Sequence, residues 1–358
     1  MTVYNFAAGP STLPKQALLI AQKELLDYKG TGISVMEMSH RSKPYQMIHD
    51  ECKALFKELL NIPDNYKLLF MTGGATTQFE AIPLNLLNNS GKADYMVTGN
   101  FAEKAFKFSK KYGDTVCALS SKDKNFTYIP TWDNNSFRED IDYLHVTSNN
   151  TIFGTKFNSY PKVAAPLVVD MSSNILSEEF DVNQFGLIYA GAQKNIAPAG
   201  ITLVIVREDL IGNPLPTCPV MFDYKTFADN DSMSNTPPTF VIYMALLTLK
   251  WIKSLGGISA INKMNIEKSS ILYDFIDNSK LFTNSVQPDY RSLMNVPFVT
   301  PSKELDAEFL AQATVNGLIT LKGHKLVGGM RASIYNAMPI EGVKSLINFM
   351  KKFELANS

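Results

Sequence analysis

The chain has 358 residues, 45% of them hydrophobic, and its 34 Lys and Arg residues balance 34 Asp and Glu residues to a formal net charge of zero. A balanced charge argues against binding to nucleic acid or to an anionic membrane surface, and no apolar run approaches the roughly 20 residues of a membrane span. The three widely spaced cysteines and the absence of a signal-peptide pattern predict a soluble cytoplasmic protein without disulfides or a metal site.

The pattern of the first two thirds of the chain predicts alternating helices and strands. Residues 14–28 predict a helix that begins at Pro14 and ends before Gly30, and residues 44–60 predict a second helix. KLLFMTG predicts a strand that runs into glycines, and TTQFEAIPLNLL predicts the helix after that turn. Further short, β-branched strand cores occur in ADYMVTGNF, PLVVDMSSN, GLIYAGAQKN and ITLVIVRED. These segments predict an α/β fold with a mostly parallel sheet and helices on both faces.

The last third of the chain has a different composition. SMSNTPPTF (232–240) predicts an extended loop, and FVIYMALLTLKWIKSLGG predicts a long helix that ends at two glycines. Helices then alternate with a few strands, as in a small α+β unit. We therefore expect a large domain of residues 16–257 and a smaller domain of residues 1–15 and 258–358.

Two polar residues follow predicted strands, 24 positions apart: Asp170 in VVDMSSN and Lys194 in LIYAGAQKN. Ligands of open α/β sheets bind beyond the carboxyl ends of strands, so neighbouring strands could direct both side chains into one crevice. A desolvated lysine can form an imine with an aldehyde, and an aspartate can keep a pyridine nitrogen protonated. From these residues alone, a helix cap at Asp170 and a solvated loop lysine at Lys194 are equally good interpretations.

The glycine turn in MTGGATTQFEA is a candidate anion site. Its glycines allow close backbone approach, and the amides of Ala75 and Thr76 would point from a helix N-terminus toward an anion such as a cofactor phosphate. The turn matches neither GxxxxGK[ST] nor GxGxxG. A strand-to-helix turn that binds nothing is the alternative.

Several blocks in fixed order resemble the phosphoserine aminotransferase family of the class V aminotransferases. The blocks are NFAAGP (5–10), SHRS (39–42), GGATTQF (73–79), VVDMSSN (168–174), GAQKN (191–195), NTPPTF (235–240) and GGMRASIYNAM (328–338). The resemblance covers nearly the whole chain. It implies the type I fold of pyridoxal-phosphate (PLP) enzymes, with a large domain built on a sheet of the seven-stranded type.

The resemblance also implies roles for individual residues around PLP. Lys194 would carry the cofactor as a Schiff base, and Asp170 would pair with the pyridinium nitrogen. The remaining cofactor contacts would come from Ala75, Thr76, Phe101, Thr151, Gln193, Asn235 and Thr236. Of these, Asn235 and Thr236 would reach the cofactor of the neighbouring subunit, which implies a homodimer with shared active sites.

The same resemblance implies glutamate and 3-phosphohydroxypyruvate as substrates in a reversible transamination of serine biosynthesis. Arg331 would hold the α-carboxylate with a two-pronged contact. The anion at the other end of the substrate would meet His40, Arg41, His324 and Lys325, of which the last two could come from the partner chain. One cationic pocket could serve the distal carboxylate of the donor and the phosphate of the acceptor.

Four positions depart from the family pattern. Phe101 stands where a tryptophan usually stacks on the cofactor ring, which predicts stacking over a smaller area. Asn150 stands where a glutamate precedes Thr151, which leaves the role of Thr151 open. Lys325 replaces the arginine of GHR and offers a point charge instead of a fork. Ala197 replaces a glycine, with an effect that the sequence does not predict.

Other functions are alternatives. An alanine–glyoxylate type aminotransferase or a cysteine desulfurase would keep the fold, although no cysteine lies in a recognisable site motif. A non-catalytic interaction protein would have a degenerate site, which the presence of Lys194, Asp170 and Arg331 argues against. Metal-dependent hydrolysis is disfavoured because the four histidines show no ligand spacing.

Overall fold

The computed structural model describes residues 2–133 and 135–357. The α-helices of these residues are α1 (Lys15–Lys23), α2 (Lys43–Leu60), α3 (Gly74–Leu86), α4 (Asn100–Ser109), α5 (Tyr224–Asp229), α6 (Thr239–Ser254), α7 (Gly257–Asn278), α8 (Lys303–Val315) and α9 (Ile340–Ala356). Helix α2 begins where Ser42 caps it and ends at Asn61, whose left-handed conformation closes the last turn.

The strands are short, and most of them carry β-branched or aromatic side chains. They are β1 (Tyr4–Asn5), β2 (Tyr66–Met71), β3 (Lys92–Val97), β4 (Asp114–Ser120), β5 (Tyr143–Thr147), β6 (Asn149–Asn150), β7 (Thr155–Lys156), β8 (Leu167–Asp170), β9 (Leu187–Gly191), β10 (Thr202–Arg207), β11 (Asn295–Phe298), β12 (Leu318–Ile319) and β13 (Met330–Ser333).

Seven of these strands form the central sheet, in the order β2-β10-β9-β8-β5-β3-β4. The pairs from β9 through β4 are parallel, whereas β10 runs antiparallel to both of its neighbours. Only residues 192–201 connect β9 to β10, and a parallel return would need a crossover of a dozen or more residues. The expected mostly parallel α/β sheet is confirmed.

Both faces of the sheet are buried, which explains the continuous apolar strand cores. On one face Val146, Val169 and Ile205 belong to a hydrophobic cluster that includes α2 and α6. On the other face Tyr189 and Val204 belong to a cluster that includes α3. The sheet therefore lies between two helical layers, and its strand ends are fixed from both sides.

A third hydrophobic cluster joins the N-terminal segment to the last third of the chain. Phe6 belongs to it, and its other members lie between Leu272 and Phe353. Strand β1 pairs in parallel with β12, and β11 pairs antiparallel with β13. The N-terminal segment is thereby attached to the part of the chain that carries Arg331.

The first helix is shorter than the sequence pattern predicts. It ends at Lys23 instead of Tyr28, and the following residues lead into a turn where Lys29 has a φ of 50° and Gly30 a φ of 80°. Leu26 is 84% exposed, so the continuing apolar pattern has no core surface to pack against in this chain.

No single helix within residues 2–133 and 135–357 is long and apolar enough to cross a membrane. Helices α6 and α7 reach the required length and composition only when joined, and they meet at an 81° bend.

Candidate active site

Asp170 and Lys194 follow adjacent parallel strands and lie at the same edge of the sheet. Asp170 is the last residue of β8, and Lys194 comes three residues after the end of β9. The strands are in register, with Asp170 opposite Tyr189. This edge is where open α/β sheets bind ligands, and the structure brings the two side chains together there.

Lys194 is held in a desolvated environment. Its Nζ donates a hydrogen bond of 2.6 Å to Oγ1 of Thr151. Burial and, to a smaller extent, the charge of Arg331 lower the pKa of Lys194 to about 8, against the opposing effect of Asp170. A lysine of this pKa exposes a neutral, nucleophilic amine close to neutral pH.

The lowered pKa predicts how fast the cofactor-free protein captures an aldehyde. The folded-state pKa of about 8 lies below the model value of 10.5, so the amine becomes neutral as the pH rises through about 8. We expect the capture rate of PLP, followed by visible absorption, to rise through that pH and then level off. A midpoint near 10.5 would contradict a desolvated Lys194. The unfolded chain binds more protons between these two values, so this group also makes the cofactor-free fold more stable as the pH rises across that window.

Asp170 is nearly excluded from water and is held by hydrogen bonds. Burial raises the pKa of Asp170, while bonding to Ser172, the charge of Lys194 and a bond from Tyr189 oppose that shift. The amide of Ser172 donates to Oδ1 of Asp170 at 2.8 Å. A buried carboxylate beside the lysine is suited to pairing with a protonated ring nitrogen.

Arg331, on β13, brings a cation to the same place. Its Nη1 donates to the carbonyl of Thr151 at 3.3 Å, and its buried Nε has no hydrogen-bond partner in the described part of the chain. Burial lowers the pKa of Arg331, and an unsatisfied buried donor carries a free-energy cost that a bound anion removes. This guanidinium is therefore prepared for a carboxylate ligand.

Phe101 lies close to the lysine, at the start of α4. Nζ of Lys194 is 5.6 Å from the centroid of its ring. The turn before it is tight, because a Cβ on Gly99 would lie 2.3 Å from Oδ1 of Asn150. The amide of Asn150 donates to the hydroxyls of Thr98 and Thr155 at 3.2 and 3.1 Å. Asn150 thus packs against the turn that carries Phe101.

The glycine turn has the geometry of an anion site. Gly73 has a φ of 91°, and a Cβ there would lie 1.9 Å from Oγ1 of Thr77. Helix α3 begins at Gly74 without a side-chain cap, so the amides of Ala75 and Thr76 in its first turn have no intrahelical acceptor. Gln193 lies against the end of β9, where a Cβ on Gly191 would meet its Oε1 at 2.8 Å.

The other expected residues are placed unevenly. His324 lies near Arg331 and Lys325. Burial, and then these two charges, lower the pKa of His324. Lys325 and Arg41 are exposed, and His40 is half-buried. Asn235 and Thr236 are exposed in the loop before α6, where the amide of Asn235 reaches only the carbonyl of Thr236 at 3.4 Å. In the described residues of one chain these four side chains, Arg41, His40, Asn235 and Thr236, have no recorded hydrogen bond to the residues around Lys194.

The N-terminal segment takes part in the site, although sequence reasoning assigned it no role. Oγ of Ser11 donates to the carbonyl of Lys194 at 2.5 Å, and its amide donates to the carbonyl of Gln193 at 3.0 Å. A Cβ on Gly9 would lie 3.4 Å from Cγ of both residues, and Gly9 has a φ of 140°. The NFAAGP block was the signal, but only the fold shows that this segment braces the lysine loop.

A polar network behind the site was also missed. The amide of Asn336 donates to Oδ1 of Asn195 at 3.1 Å, which connects the lysine loop to the segment after β13. Nζ of the buried Lys268 lies within hydrogen-bond distance of four carbonyls of that segment, those of Ile334, Tyr335, Asn336 and Met338. No sequence pattern distinguishes such residues from surface positions of helices and loops.

The replacement of glycine by Ala197 is compatible with the backbone. Ala197 is buried, its φ is outside the left-handed region, and its amide donates to the carbonyl of Ala192 at 2.9 Å, so the backbone here has no need of glycine.

Within the described ranges, no group of three or more His, Cys, Asp or Glu side chains could hold a metal ion.

Comparison with known proteins decides the family. A family model described as aminotransferase class-V matches residues 3–346. A phosphoserine aminotransferase from Bacillus cereus is 56% identical over 356 residues, which is 99% of each chain. The chain belongs to the phosphoserine aminotransferase family.

Solved structures of this family superimpose closely on the chain. The phosphoserine aminotransferase from Bacillus circulans subsp. alkalophilus is 46% identical, covers 99% of both chains and has a TM-score of 0.97. The PLP-bound phosphoserine aminotransferase from Trichomonas vaginalis is 39% identical, covers 98% of this chain and 99% of its own, and has a TM-score of 0.93. The sequence-based assignment to this family is confirmed, and an alanine–glyoxylate type enzyme is not favoured.

Proposed function

We propose that this chain is a phosphoserine transaminase that moves the amino group of glutamate to 3-phosphohydroxypyruvate, giving O-phosphoserine and 2-oxoglutarate. The observation that carries the proposal is the convergence of Lys194, Asp170 and Arg331 at one sheet edge, in a chain 56% identical to a phosphoserine aminotransferase. The reaction belongs to serine biosynthesis.

The residues present fit pyridoxal phosphate. Lys194 offers a desolvated amine for the aldehyde carbon, Asp170 offers a buried carboxylate for the ring nitrogen, and Phe101 offers an aromatic face. The first-turn amides of α3 at Ala75 and Thr76, together with Gln193, would hold the phosphate. When bound, the cofactor supplies an electron-withdrawing ring that stabilises negative charge at the substrate Cα.

Each side chain has a defined task in this scheme. Nζ of Lys194 would hold the cofactor between turnovers. Once displaced by substrate, the same amine would take the proton from Cα of glutamate in the first half-reaction and deliver a proton to Cα of the acceptor in the second. Thr151 accepts a hydrogen bond from this amine at 2.6 Å and fixes its direction. Asp170 keeps a positive charge on the ring nitrogen, which strengthens the ring as an acceptor of electrons.

Substrate recognition rests on cations at two distances from the lysine. The partly buried Arg331, with its unpartnered Nε, binds the α-carboxylate that both substrates share. His324 and Lys325 lie in the loop before β13, and His40 and Arg41 precede α2. These four would bind the distal carboxylate of glutamate or the phosphate of the acceptor.

The replacement of arginine by lysine at position 325 predicts a testable weakness. Lys325 is exposed and carries a point charge, whereas a guanidinium can bind phosphate through two parallel hydrogen bonds. Lys325→Arg should raise kcat/KM for the phosphorylated acceptor by about fivefold or less, the usual range of one exposed charged contact. No gain in steady-state assays would count against a phosphate contact at this position.

We further propose a homodimer with shared active sites. Eight large apolar side chains in the first part of the chain are 38% to 84% exposed, and an apolar surface of this kind on a folded chain is typical of an interface. They are Leu18, Leu19, Ile20, Leu25, Leu26, Ile33, Met36 and Met47. Asn235 and Thr236 are exposed and free to reach the cofactor phosphate of a partner.

Shared sites predict complementation between two inactive variants. Lys194→Ala and the double variant Asn235→Ala/Thr236→Ala should each be nearly inactive as purified proteins. When they are unfolded and refolded together, half of the random pairs are mixed and each has one intact site, so activity should return to about a quarter of that of the unchanged protein. Two copies of the same variant refolded together are the control. No recovery, with mixed dimers present, would contradict sharing.

We also propose a division of the chain into two domains and a cytoplasmic location. Residues 16–257 would form the large cofactor-binding domain, and residues 1–15 and 258–358 the small domain, which is supported by the hydrophobic cluster that joins Phe6 to residues 272–353. A cytoplasmic location is supported by the three free cysteines.

The desulfurase alternative would need a reactive thiolate. Burial raises the pKa of Cys52, Cys117 and Cys218, which disfavours the thiolate form of all three side chains.

The function is tested by coupled assays of the oxo acid that each amino donor releases, 2-oxoglutarate from glutamate and pyruvate from alanine. Glutamate with 3-phosphohydroxypyruvate should support turnover, whereas alanine with glyoxylate should not, with Lys194→Ala as the control for background. Turnover with alanine and glyoxylate alone would replace the proposal by the alanine–glyoxylate type. No turnover with either pair in cofactor-loaded protein would contradict an aminotransferase.

A further inference from the structure

Behind Asp170, a row of buried polar side chains crosses the sheet. Tyr189 on β9 is the register partner of Asp170 on β8, and register partners on parallel strands lie on the same face. Tyr189 is 0% exposed and Asp170 is 5% exposed. The Tyr189 hydroxyl lies close enough to the Asp170 carboxyl to help lower its pKa.

His145 on β5 continues the row. Its Nε2 lies 2.9 Å from the hydroxyl oxygen of Tyr189. The ring of His145 is 1% exposed and stacks on Tyr95 with centroids 4.9 Å apart. Burial lowers the pKa of His145 to about 3, so the imidazole is neutral at physiological pH and has one N–H group.

The hydrogen count of these three groups fixes the direction of the row. An ionised Asp170 can only accept, so the single hydroxyl hydrogen of Tyr189 must point to it. The oxygen of Tyr189 must then accept from His145, which places the imidazole hydrogen on Nε2. Nδ1 is left as a bare acceptor, and it has no hydrogen-bond partner among residues 2–133 and 135–357. This tautomer leaves a nitrogen acceptor unpaired, whereas the other tautomer would leave a buried N–H donor unpaired. An unpaired buried donor is the more costly of the two.

We propose that Tyr189 and His145 are positioning residues that keep the Asp170 carboxylate ionised and oriented for the cofactor ring nitrogen. This inference rests on the proposed function, because it needs PLP in the site. Tyr189 lies on β9, the strand that leads to Lys194, and His145 lies two strands away on β5. Both act through Asp170 and contribute no group to the substrate.

The charged and titratable surroundings of the row are few. Lys194 and Tyr189 face Asp170. Tyr95, Tyr224 and Asp170 are the groups that act electrostatically on Tyr189, and burial raises the pKa of Tyr189. Since the tyrosines stay neutral and His145 is uncharged, the donated hydrogen bond is the contribution that a variant can remove.

The experiment compares Tyr189→Phe and His145→Leu with a matched control. Tyr143→Phe is the control, because it removes a buried hydroxyl from the same face of the sheet, where it contacts Tyr95 at 2.6 Å. PLP affinity is measured by equilibrium dialysis, and the visible absorption of the loaded protein is titrated with pH. Thermal unfolding of each cofactor-free variant reports any general loss of stability.

Tyr189→Phe should weaken PLP binding by about tenfold, the usual effect of a lost hydrogen bond to a charged group. The pH at which the visible absorption of this variant changes should rise. A ring nitrogen with less positive charge repels the proton on Nζ of Lys194 less strongly, so this proton is lost at a higher pH. His145→Leu should change the PLP affinity and the pH of the absorption change in the same direction, but by less. His145→Gln, which keeps an N–H donor, should partly restore both values.

Equal affinities and transitions in Tyr189→Phe and Tyr143→Phe would overturn the inference, as would a His145→Leu protein that behaves like the unchanged one. If Tyr189→Phe does not fold, the two His145 variants decide. An unchanged protein that binds no PLP would instead refute the proposed function, so the two failures are distinguishable.

Discussion

Replacing Lys194 with alanine should lower the transamination rate by about 10⁴-fold, the upper range for losing a positioned acid–base group. The same change should abolish covalent retention of PLP, because Nζ of Lys194 is the desolvated amine beside Asp170 and Thr151. The rate is measured in the coupled assay, and retention is measured by visible absorption after gel filtration.

The matched control for this variant is Lys104→Met. The Lys104 ammonium also lies over the Phe101 ring, at 5.7 Å from its centroid, compared with 5.6 Å for Lys194. Since Lys104 is exposed, we expect this control to keep covalent PLP and most of the activity. An unchanged absorption spectrum and rate in Lys194→Ala would refute the assignment.

Replacing Arg331 with leucine should lower kcat/KM for glutamate by about 10²- to 10³-fold. Removing one partner of a buried charge pair costs about 2–5 kcal/mol, and each 1.4 kcal/mol is a factor of ten. Arg331 is prepared for an anion, with an unpartnered Nε and one terminal nitrogen bound to the carbonyl of Thr151. Arg331→Lys should retain an intermediate rate, since it keeps the charge but loses the planar fork.

Arg291→Lys is the matched control for that experiment. Both terminal nitrogens of Arg291 already bind Asp277, at 2.6 and 2.7 Å, so the charge of this guanidinium is paired within the protein. Its replacement should leave the KM for glutamate unchanged. A decrease in kcat/KM of the same size in both variants would indicate a general structural effect.

The sequence predicts the sheet well, because its strands are buried on both faces and therefore appear as short apolar runs. The runs around Val169 and Ile205 both mark strands of the central sheet. The antiparallel direction of β10 could not be predicted from such runs, since it depends on the short connection after β9. Helix α1 was predicted too long because apolar residues such as Leu26 also occur on exposed surfaces.

The site was predictable where side chains follow strand ends. Asp170 and Lys194 could be paired from their positions, but Arg331 needed the resemblance, since it comes from a strand 137 positions after Lys194. Supporting residues were harder to predict. Ser11, Asn195 and Lys268 act through hydrogen bonds that only the folded chain creates. Asn235 and Thr236 stay predictions, because their expected contacts lie in a partner.

The central claim, that Lys194 holds the cofactor, is tested most directly by borohydride reduction of the PLP-loaded protein followed by peptide mapping. Reduction makes the bond between the lysine and the cofactor permanent, so mass spectrometry locates it. Lys268 is the informative competitor, since burial also lowers its pKa, to about 7. We predict a single modified peptide that contains Lys194. Modification of Lys268, or of no lysine in protein that has bound PLP, would contradict the assignment.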